Sequence, residues 1–441
     1  MEIQETRSNG LKETHIGLIP EDWEVVKLGD VFDIQQGKAM SPESRSKTPQ
    51  YPFLRTLNVL WGRVDLSTLD NMHFTTEEIS RLHLQPNDLL VCEGGEIGRT
   101  AMWKGKIKFC GHQNHIHRLR KRGDDIWPEF YMYWMQAAFL QLGLYAGEGI
   151  KTTIPNLSRG RLQTFILPKP SLSEQQKIAL VLSKIQQAIE HQDKIIEITR
   201  NLKKSLMQKL FTEGIGHTEF KDSEIGQIPK SWEVVKLRDI REKTATVDPR
   251  RTPNKKFKYV DVSSISRDFL SIIDYKEYWG RDAPSRARKA VRKDDIIFAT
   301  VRPSLKRVAV IPEIYNGEIC STAFCVIRCK RELALPDFVF SYISTDDFVK
   351  RVSGLQKGTN YPAITDSDVL TQEIPLPSIS EQQQIADSSK ILDKKMRTED
   401  KRKVLLQQLF KTMLHKLMTG EIRVKDVDLS FIGKMGVQIG S

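Results

Sequence analysis

The cluster with the greatest chemical potential in this sequence is Cys110-Gly-His-Gln-Asn-His-Ile-His117, because closely spaced cysteine and histidine are zinc-ligand types. A structural zinc site needs further ligands, and no second pair lies nearby in sequence. The corresponding later stretch, Cys320-Ser-Thr-Ala-Phe-Cys-Val-Ile-Arg328, carries no histidine, so no metal site is expected. Gly94-Gly-Glu-Ile-Gly98 and Gly147-Glu-Gly-Ile-Lys-Thr152 look phosphate-friendly, yet neither is the G-x-x-x-x-G-K-[ST] loop that cradles a nucleotide. Both read as turns. No N-P-P-[YF] or D-P-P-[YF] tetrapeptide, the signature of amino-methyltransferases, occurs. Glu219-Phe-Lys221 offers half of an E-x-K nuclease motif without the preceding P-D. No catalytic residue is assigned.

Charge is the more informative chemistry. From Arg99 to Arg122 there are eight lysines and arginines and no acid, with His112, His115 and His117 interleaved; Arg281 to Arg307 holds nine basic residues against three acids. Such runs neutralise phosphates and position a protein on DNA without reading its sequence; the bland alternative is a solvated face. Reading bases needs side chains with paired donors and acceptors, chiefly arginine for guanine and asparagine or glutamine for adenine. On that ground the DNA-binding candidates of the first half are Gln35, Gln36, Lys38, Asn58, Arg99, Lys104, Gln113, Asn114, His115, Lys151, Thr152 and Thr153. Those of the second half are Arg250, Arg251, Ser263, Ser264, Arg302, Lys306, Lys357, Thr359 and Asn360.

The elements that must position these residues come as two copies of one unit. Ile16-Gly-Leu-Ile-Pro-Glu-Asp-Trp-Glu-Val-Val-Lys-Leu28 returns as Ile225-Gly-Gln-Ile-Pro-Lys-Ser-Trp-Glu-Val-Val-Lys-Leu237, identical at ten of thirteen positions with an offset of 209. Leu167-Pro-Lys-Pro-Ser-Leu-Ser-Glu-Gln-Gln176 returns as Ile374-Pro-Leu-Pro-Ser-Ile-Ser-Glu-Gln-Gln383 with an offset of 207. Between the matched blocks the copies share length and only faint echoes: Pro86–Val91 opposite Arg292–Phe298, and Thr152–Ser158 opposite Thr359–Thr365. A retained frame around divergent interiors implies one framework job done twice and two different jobs inside.

Each second block opens a long helix. Ser171 with Glu174, and Ser378 with Glu381, have the S-x-x-E spacing of a capping box behind Pro170 or Pro377. No proline or glycine follows as far as Phe211, and Ile178, Leu182, Ile185 and Ile189, then Ile196, Leu202, Leu206 and Leu210, form an apolar seam. The helices are expected to end near Gly214 and Gly420. Each would be about 55 Å long, and two such helices would bury each other as an antiparallel coiled coil. The interiors alternate short apolar runs (Phe53–Leu60, Asp88–Cys92, Tyr259–Val262, Asp295–Thr300) with polar loops, and place helices at Pro128–Leu144 and Pro336–Val352. The fold class read from this is mixed α/β (α+β) with substantial β-sheet and a pseudo-twofold internal repeat. The expected divisions are an N-terminal leader 1–15, a first recognition domain 16–166, a first helical region 167–215, a second recognition domain 216–373, a second helical region 374–422 and a C-terminal tail 423–441.

Composition sets the outer bounds. A chain of 441 residues, 39% hydrophobic and 28% charged, has enough apolar material for two or three folded domains, and 68 basic residues against 56 acids favour a polyanionic partner. Five cysteines without a C-x-x-C pair fit a reducing cytoplasm rather than a disulfide scaffold. No apolar stretch of membrane-spanning length occurs, so no membrane association is expected.

The I-P-x-x-W-E-x-x-K-L starts at Ile19 and Ile228, the P-x-P-S-x-S-E-Q-Q blocks at Pro168 and Pro375, and the helix ends Leu206-Met-Gln-Lys-Leu-Phe-Thr212 and Met413-Leu-His-Lys-Leu-Met-Thr419 resemble the specificity subunit of type I restriction–modification systems. The resemblance covers nearly the whole chain. It implies two target-recognition domains, each reading half of a bipartite asymmetric site in double-stranded DNA, with the helix pair setting the gap. It further implies docking of two modification (methyltransferase) subunits, which restriction/translocase subunits then join. This chain would be non-catalytic and bind no cofactor, with S-adenosylmethionine, ATP and magnesium held by the partners. The alternatives are a self-contained DNA-modifying enzyme, which the missing motifs oppose, and a general protein-interaction scaffold.

Overall fold

The structure is a computed structural model that describes residues 10–145, 157–356 and 362–424. It divides into two units, Met1–Glu190 with Val404–Ser441, and His191–Lys403. By sequence, each long helix contributes residues to both.

Each unit opens on the repeated entry block. Leu11–Thr14 pairs antiparallel with Gly17–Pro20, and Phe220–Ser223 with Gly226–Pro229. Both hairpins turn on a glycine of positive φ, Gly17 at 94° and Gly226 at 104°, where a β-carbon would be strained. The repeat therefore reaches back to Leu11, inside the span expected as a leader. The W-E-V-V-K segment that follows is a strand in both copies: Glu24–Lys27 pairs with Ile166–Lys169, and Glu233–Lys236 with Glu373–Leu376. The two matched sequence blocks of each copy are thus hydrogen-bonded to one another, and the divergent interior is a long excursion between paired strands.

Inside the first unit, Thr100–Met102, Leu89–Cys92, Ile116–Lys121 and Phe32–Gln36 form a four-stranded sheet in that order, and Gly111–His112, Gln50–Leu54 and Asp70–His73 a three-stranded one. In the second unit Val308–Val310, Ile296–Ala299 and Phe324–Ile327 form a three-stranded sheet, and Lys276–Trp279, Lys256–Val260, Ile319–Ser321 and Ala287–Ala290 a four-stranded one. Every residue of Leu89–Cys92 and of Ile296–Ala299 is buried, so these strands read as continuous apolar runs rather than alternating ones. All four apolar runs picked out in the sequence contain or overlap a strand. Helix Pro128–Leu140 forms as expected but stops four residues short. Its counterpart breaks into Pro336–Ile343 and Asp346–Ser353 because Thr345 caps a new start, its hydroxyl accepting from Phe348 N–H at 3.3 Å.

The long helices run Leu172–Glu213 and Ile379–Met418. They are followed by glycines in the left-handed region, Gly214 at 64° and Gly420 at 73°. Ser171 and Ser378 accept from the N–H of Glu174 and Glu381, each at 3.3 Å. The carboxylates of the expected capping boxes are directed elsewhere, to the indole N–H of Trp23 (3.1 Å) and of Trp232 (2.9 Å). The next glutamine is equally committed. Gln175 donates to Asp125 and Pro170 carbonyls and accepts from Trp127 N–H; Gln382 donates to Leu333 and Pro377 carbonyls and accepts from Leu335 N–H. The repeated Trp and Glu-Gln are therefore parts of one clasp that ties the helix start to the strands and loops of its unit.

The two long helices pack together. In the first unit Ile178, Ala179, Leu182 and Ile189 share a core with Phe410, Leu414, Leu417 and Met418. In the second, Met207 and Phe211 share one with Ile385 and Ala386. Among the described residues, no helix is long and apolar enough to cross a membrane.

Candidate nucleic-acid interface

In the first unit the chain brings together two candidate groups that lie far apart in sequence. Lys38 bridges to Gln113, with Lys38 N–H donating to the His112 carbonyl at 2.9 Å and Asn114 N–H donating to the Lys38 carbonyl at 2.9 Å. Only a glycine fits before Lys38: a β-carbon on Gly37 would lie 2.2 Å from the His112 carbonyl oxygen. Gln36 donates to the Asn114 carbonyl at 3.0 Å and to Glu93 Oε2 at 3.1 Å, Gln35 donates to the Gln36 carbonyl at 2.8 Å, and Lys38 pairs with Glu78 at 2.5 Å. His115 remains exposed, its Nδ1 3.9 Å from Glu93.

The basic run that follows is not one phosphate-facing surface. The strand is covered on both faces: Arg118 is buried and donates to Asp33 at 2.8 Å, and Arg120 forms a two-pronged pair with buried Asp88 at 2.8 and 2.7 Å. Arg328 makes the equivalent pair with buried Asp295, again at 2.8 and 2.7 Å, so that part of the run is framework. Arg99 folds back to donate to the Thr56 carbonyl at 2.8 Å. Lys104, with Lys106 and Lys108, stays exposed.

Asn58 and Ser264 lie in the interior. Both are buried at the third position of a short helical turn. Asn58 accepts from Arg55 N–H and donates to the Asp65 and Thr68 carbonyls, which leaves its amide unavailable to a base. The Ser264 hydroxyl accepts from Asp261 N–H at 3.3 Å. Gln113 is buried too, with its side-chain oxygen unpartnered, whereas Ser263 is exposed.

The loop after the central buried strand recurs in both units. In the first, Glu93 accepts from Leu157 N–H at 3.0 Å, and Gly95 and Gly98 turn the loop at positive φ. In the second, Thr300 accepts from Ile364 N–H at 2.9 Å, and Arg302 N–H donates to the Pro362 carbonyl at 2.9 Å. Here non-glycine residues take the left-handed turns, exposed Arg302 at φ 49° and Lys306 at φ 51°. That conformation costs a side-chain-bearing residue about 1 kcal/mol or more and concentrates at functional sites. Lys306 is ion-paired with Asp346. In each unit this loop is bonded to residues in the last part of one of the echoed segments, Leu157 in the first and Pro362 and Ile364 in the second. Lys151, Thr152, Thr153, Lys357, Thr359 and Asn360 themselves lie outside the described residues.

Arg250 and Arg251 occupy a corner that the sequence did not reveal. Their short helix, Pro249–Arg251, packs on Gly280–Asp282, where a β-carbon on Gly280 would meet the Thr252 carbonyl oxygen at 2.1 Å. Arg250, Arg251, Lys255, Lys256, Arg281 and Arg288 collect there against Asp248, Asp282 and Glu277. Trp279 sits among them, 38% exposed, with Lys256 Nζ 4.9 Å and the Arg281 guanidinium 5.4 Å from its ring. The signal available in the sequence was Glu-Tyr-Trp-Gly-Arg-Asp, an aromatic beside an arginine and a glycine.

Of the Cys110–His117 cluster, Cys110, His112 and His117 are interior, and His115 is exposed. Burial pushes the Cys110 thiol up to about 12 and Cys92 to about 11, and drives His112 down to about 3. His117 is lowered by burial as well, its Nε2 2.9 Å from the Leu157 carbonyl oxygen. Among the described residues, no group of three or more such side chains is arranged to hold a metal ion.

Comparison with known proteins agrees with this duplicated geometry. The family model for the type I restriction modification DNA specificity domain matches twice, at residues 20–200 and 229–408. The type I restriction enzyme MjaVIII specificity subunit of Methanocaldococcus jannaschii is 29% identical over 442 residues, covering 97% of this chain and 99% of that one. The EcoDI specificity subunit of Escherichia coli is 21% identical over 401 residues, covering 84% and 81%. The crystal structure of the type I restriction-modification S subunit from M. genitalium has the same fold, with a TM-score of 0.54 at 17% identity over 95% of this chain and 99% of that one. With both copies of its repeat matched, the chain belongs to the type I restriction modification DNA specificity domain family.

Proposed function

We propose that this chain reads a bipartite, asymmetric site in double-stranded DNA, one half with each recognition domain, and supplies no catalysis itself. The observation that carries this reading is the contrast within the repeat. The Trp–Glu and glutamine bonds, the Asp–Arg pairs and the helix starts recur in both copies, while most candidate side chains on the loops they hold up differ, Thr152 and Thr359 being a matched pair. Equal scaffolds carrying unequal surfaces suit two different half-sites.

The helices would set the distance between the half-sites. Within the second unit Lys203 pairs with Asp393 at 2.6 Å and Lys403 with Asp193 at 2.5 Å. One helix number rises as the other falls, the register of an antiparallel coiled coil, and helices of this length extend about 60 Å. The same helices would dock two modification subunits. Ile198 and Leu202 are 66% and 55% exposed, and Leu405 and Leu409 are 64% and 45% exposed. The second pair lies 207 residues after the first, the offset of the repeated helix block. Two equivalent exposed apolar pairs fit two copies of one partner. Restriction/translocase subunits would join that core, and S-adenosylmethionine, ATP and magnesium would be bound by these partners.

The test is co-expression with modification subunits followed by sequencing of methylated positions. A two-part motif is expected, and replacing 28–167 with a homologous domain should change only one half. Absence of methylation, or a change in both halves, would sink the reading.

A further inference from the structure

We propose that Trp279 is a DNA contact of the second half-site, presented by Lys256 and Arg281; this rests on the DNA-reading role proposed above. The strand that carries Trp279 lies at the edge of its sheet, paired only through Lys256–Tyr259, with Trp279 directly opposite Lys256. The indole is 38% exposed at this edge, and what sets it apart from an isolated surface aromatic, which is ordinary, is the charge around it. Here the indole is flanked by two cations, and the surrounding surface carries six basic residues against three acids: Asp248 paired with Arg288, Asp282 beside Arg281, and Glu277 two residues before Trp279 on the same strand. The face this makes suits a polyanion with stacked rings: cations at phosphates on either side and an apolar plate between them, as in aromatic contacts to bases or to the walls of a groove.

The first copy supplies an internal control. Gln50–Leu54 and Lys256–Val260 each run parallel to one neighbouring strand, Gly111–His112 and Ile319–Ser321 respectively. The partner strands therefore match, and Gln50 opposite His73 takes the place of Lys256 opposite Trp279. His73 is turned to the Pro49 carbonyl at 2.9 Å, and the helix beside it, Pro42–Ser46, offers only Arg45 with neighbouring Lys47 against Glu43. The strand pair is common to both copies, but the short helix Gly280–Asp282, the exposed indole and the dense charge belong to one. A framework or partner-docking role would be expected twice; a role in reading one half-site would be expected once.

The experiment selects from a randomised duplex DNA library with the full-length chain assembled with modification subunits, comparing wild type, Trp279→Ala and Trp279→His. Expected is a loss of base preference on the order of tenfold at one or two adjacent positions of one half-site, with the other half-site unchanged. Identical motifs for wild type and variants would overturn the proposal. So would an unchanged motif with weakened assembly, which would mark the corner as a protein contact. In parallel, the emission difference between wild type and Trp279→Phe should change when the selected duplex is added; no change overturns the proposal even if the alanine variant folds poorly. A wild-type complex that enriches no motif would instead strike the DNA-reading role itself.

Discussion

Glu174 receives three donors, Trp23 Nε1 at 3.1 Å and Arg423 at 2.7 and 2.8 Å, while Arg423 also holds Asp22 at 2.9 and 2.8 Å. Its counterpart Glu381 is satisfied differently, by Trp232, Ile215 N–H at 2.8 Å and His217 at 2.9 Å. Removing one partner of a buried pair strands the other's charge, so Arg423→Ala should destabilise the chain by about 2 kcal/mol, discounted for the partial exposure of Arg423. A double-mutant cycle with Glu174→Gln should show the coupling; additive losses would deny it. His217→Ala should cost less, because Ile215 and Trp232 still serve Glu381. Acid supplies a second residue-scale outcome. His112 is held neutral down to about pH 3 in the folded state, whereas an unfolded histidine protonates near pH 6.5. The unfolded chain then binds more protons, so stability is full above about pH 6.5 and declines as pH falls toward 3. Melting curves at pH 6.5 and 5.5 should differ by about 1 kcal/mol from this residue, and His112→Gln should flatten the slope; an unchanged slope would remove His112 as the cause.

Elements inherit their precision from these clasps. A serine cap alone contributes about 1 kcal/mol, but the Gln175 and Gln382 side chains each satisfy three backbone groups on neighbouring loops, so Gln382→Ala should cost more than Ser378→Ala in thermal unfolding. The reverse order would show that the cap, and not the glutamine, fixes the helix start. The exposed pairs on the same helices make a different prediction: Leu405→Asp with Leu409→Asp should leave the melting temperature nearly unchanged while removing one modification subunit from the complex, read by native mass. The frame was legible in sequence because its parts are local or duplicated: caps, glycines, and strands whose apolar runs betray burial on both faces. The interface was legible only in part. Arg118 and Arg120 look like phosphate ligands until they pair with Asp33 and Asp88 on a strand covered on both faces, Asn58 looks like a base reader until its amide closes a turn, and Trp279 becomes conspicuous only once two short helices fold its cations around it. Composition shows how much charge a segment has, and long-range packing decides which of it faces water.

At the scale of the molecule, the proposed function would have duplication separate two properties, which bases are read and how far apart. The interiors differ and the helices repeat, so a change confined to the helices should alter distance without altering address. Inserting one heptad into each helix, between Asp193 and Lys203 and between Asp393 and Lys403, preserves the apolar seam because seven residues are close to two turns. It adds about 10 Å of helix on each side. Both ion pairs survive in the same mutual register, and the exposed pairs at Ile198 and Leu202 and at Leu405 and Leu409 are untouched if the insertions precede them. The methylated motif of such a variant should keep both halves and gain a longer spacer, by no more than about three base pairs at 3.4 Å each. An altered half-site would mean that the helices help to read bases. An unchanged spacer in an active complex would mean that something other than the helix pair sets the gap.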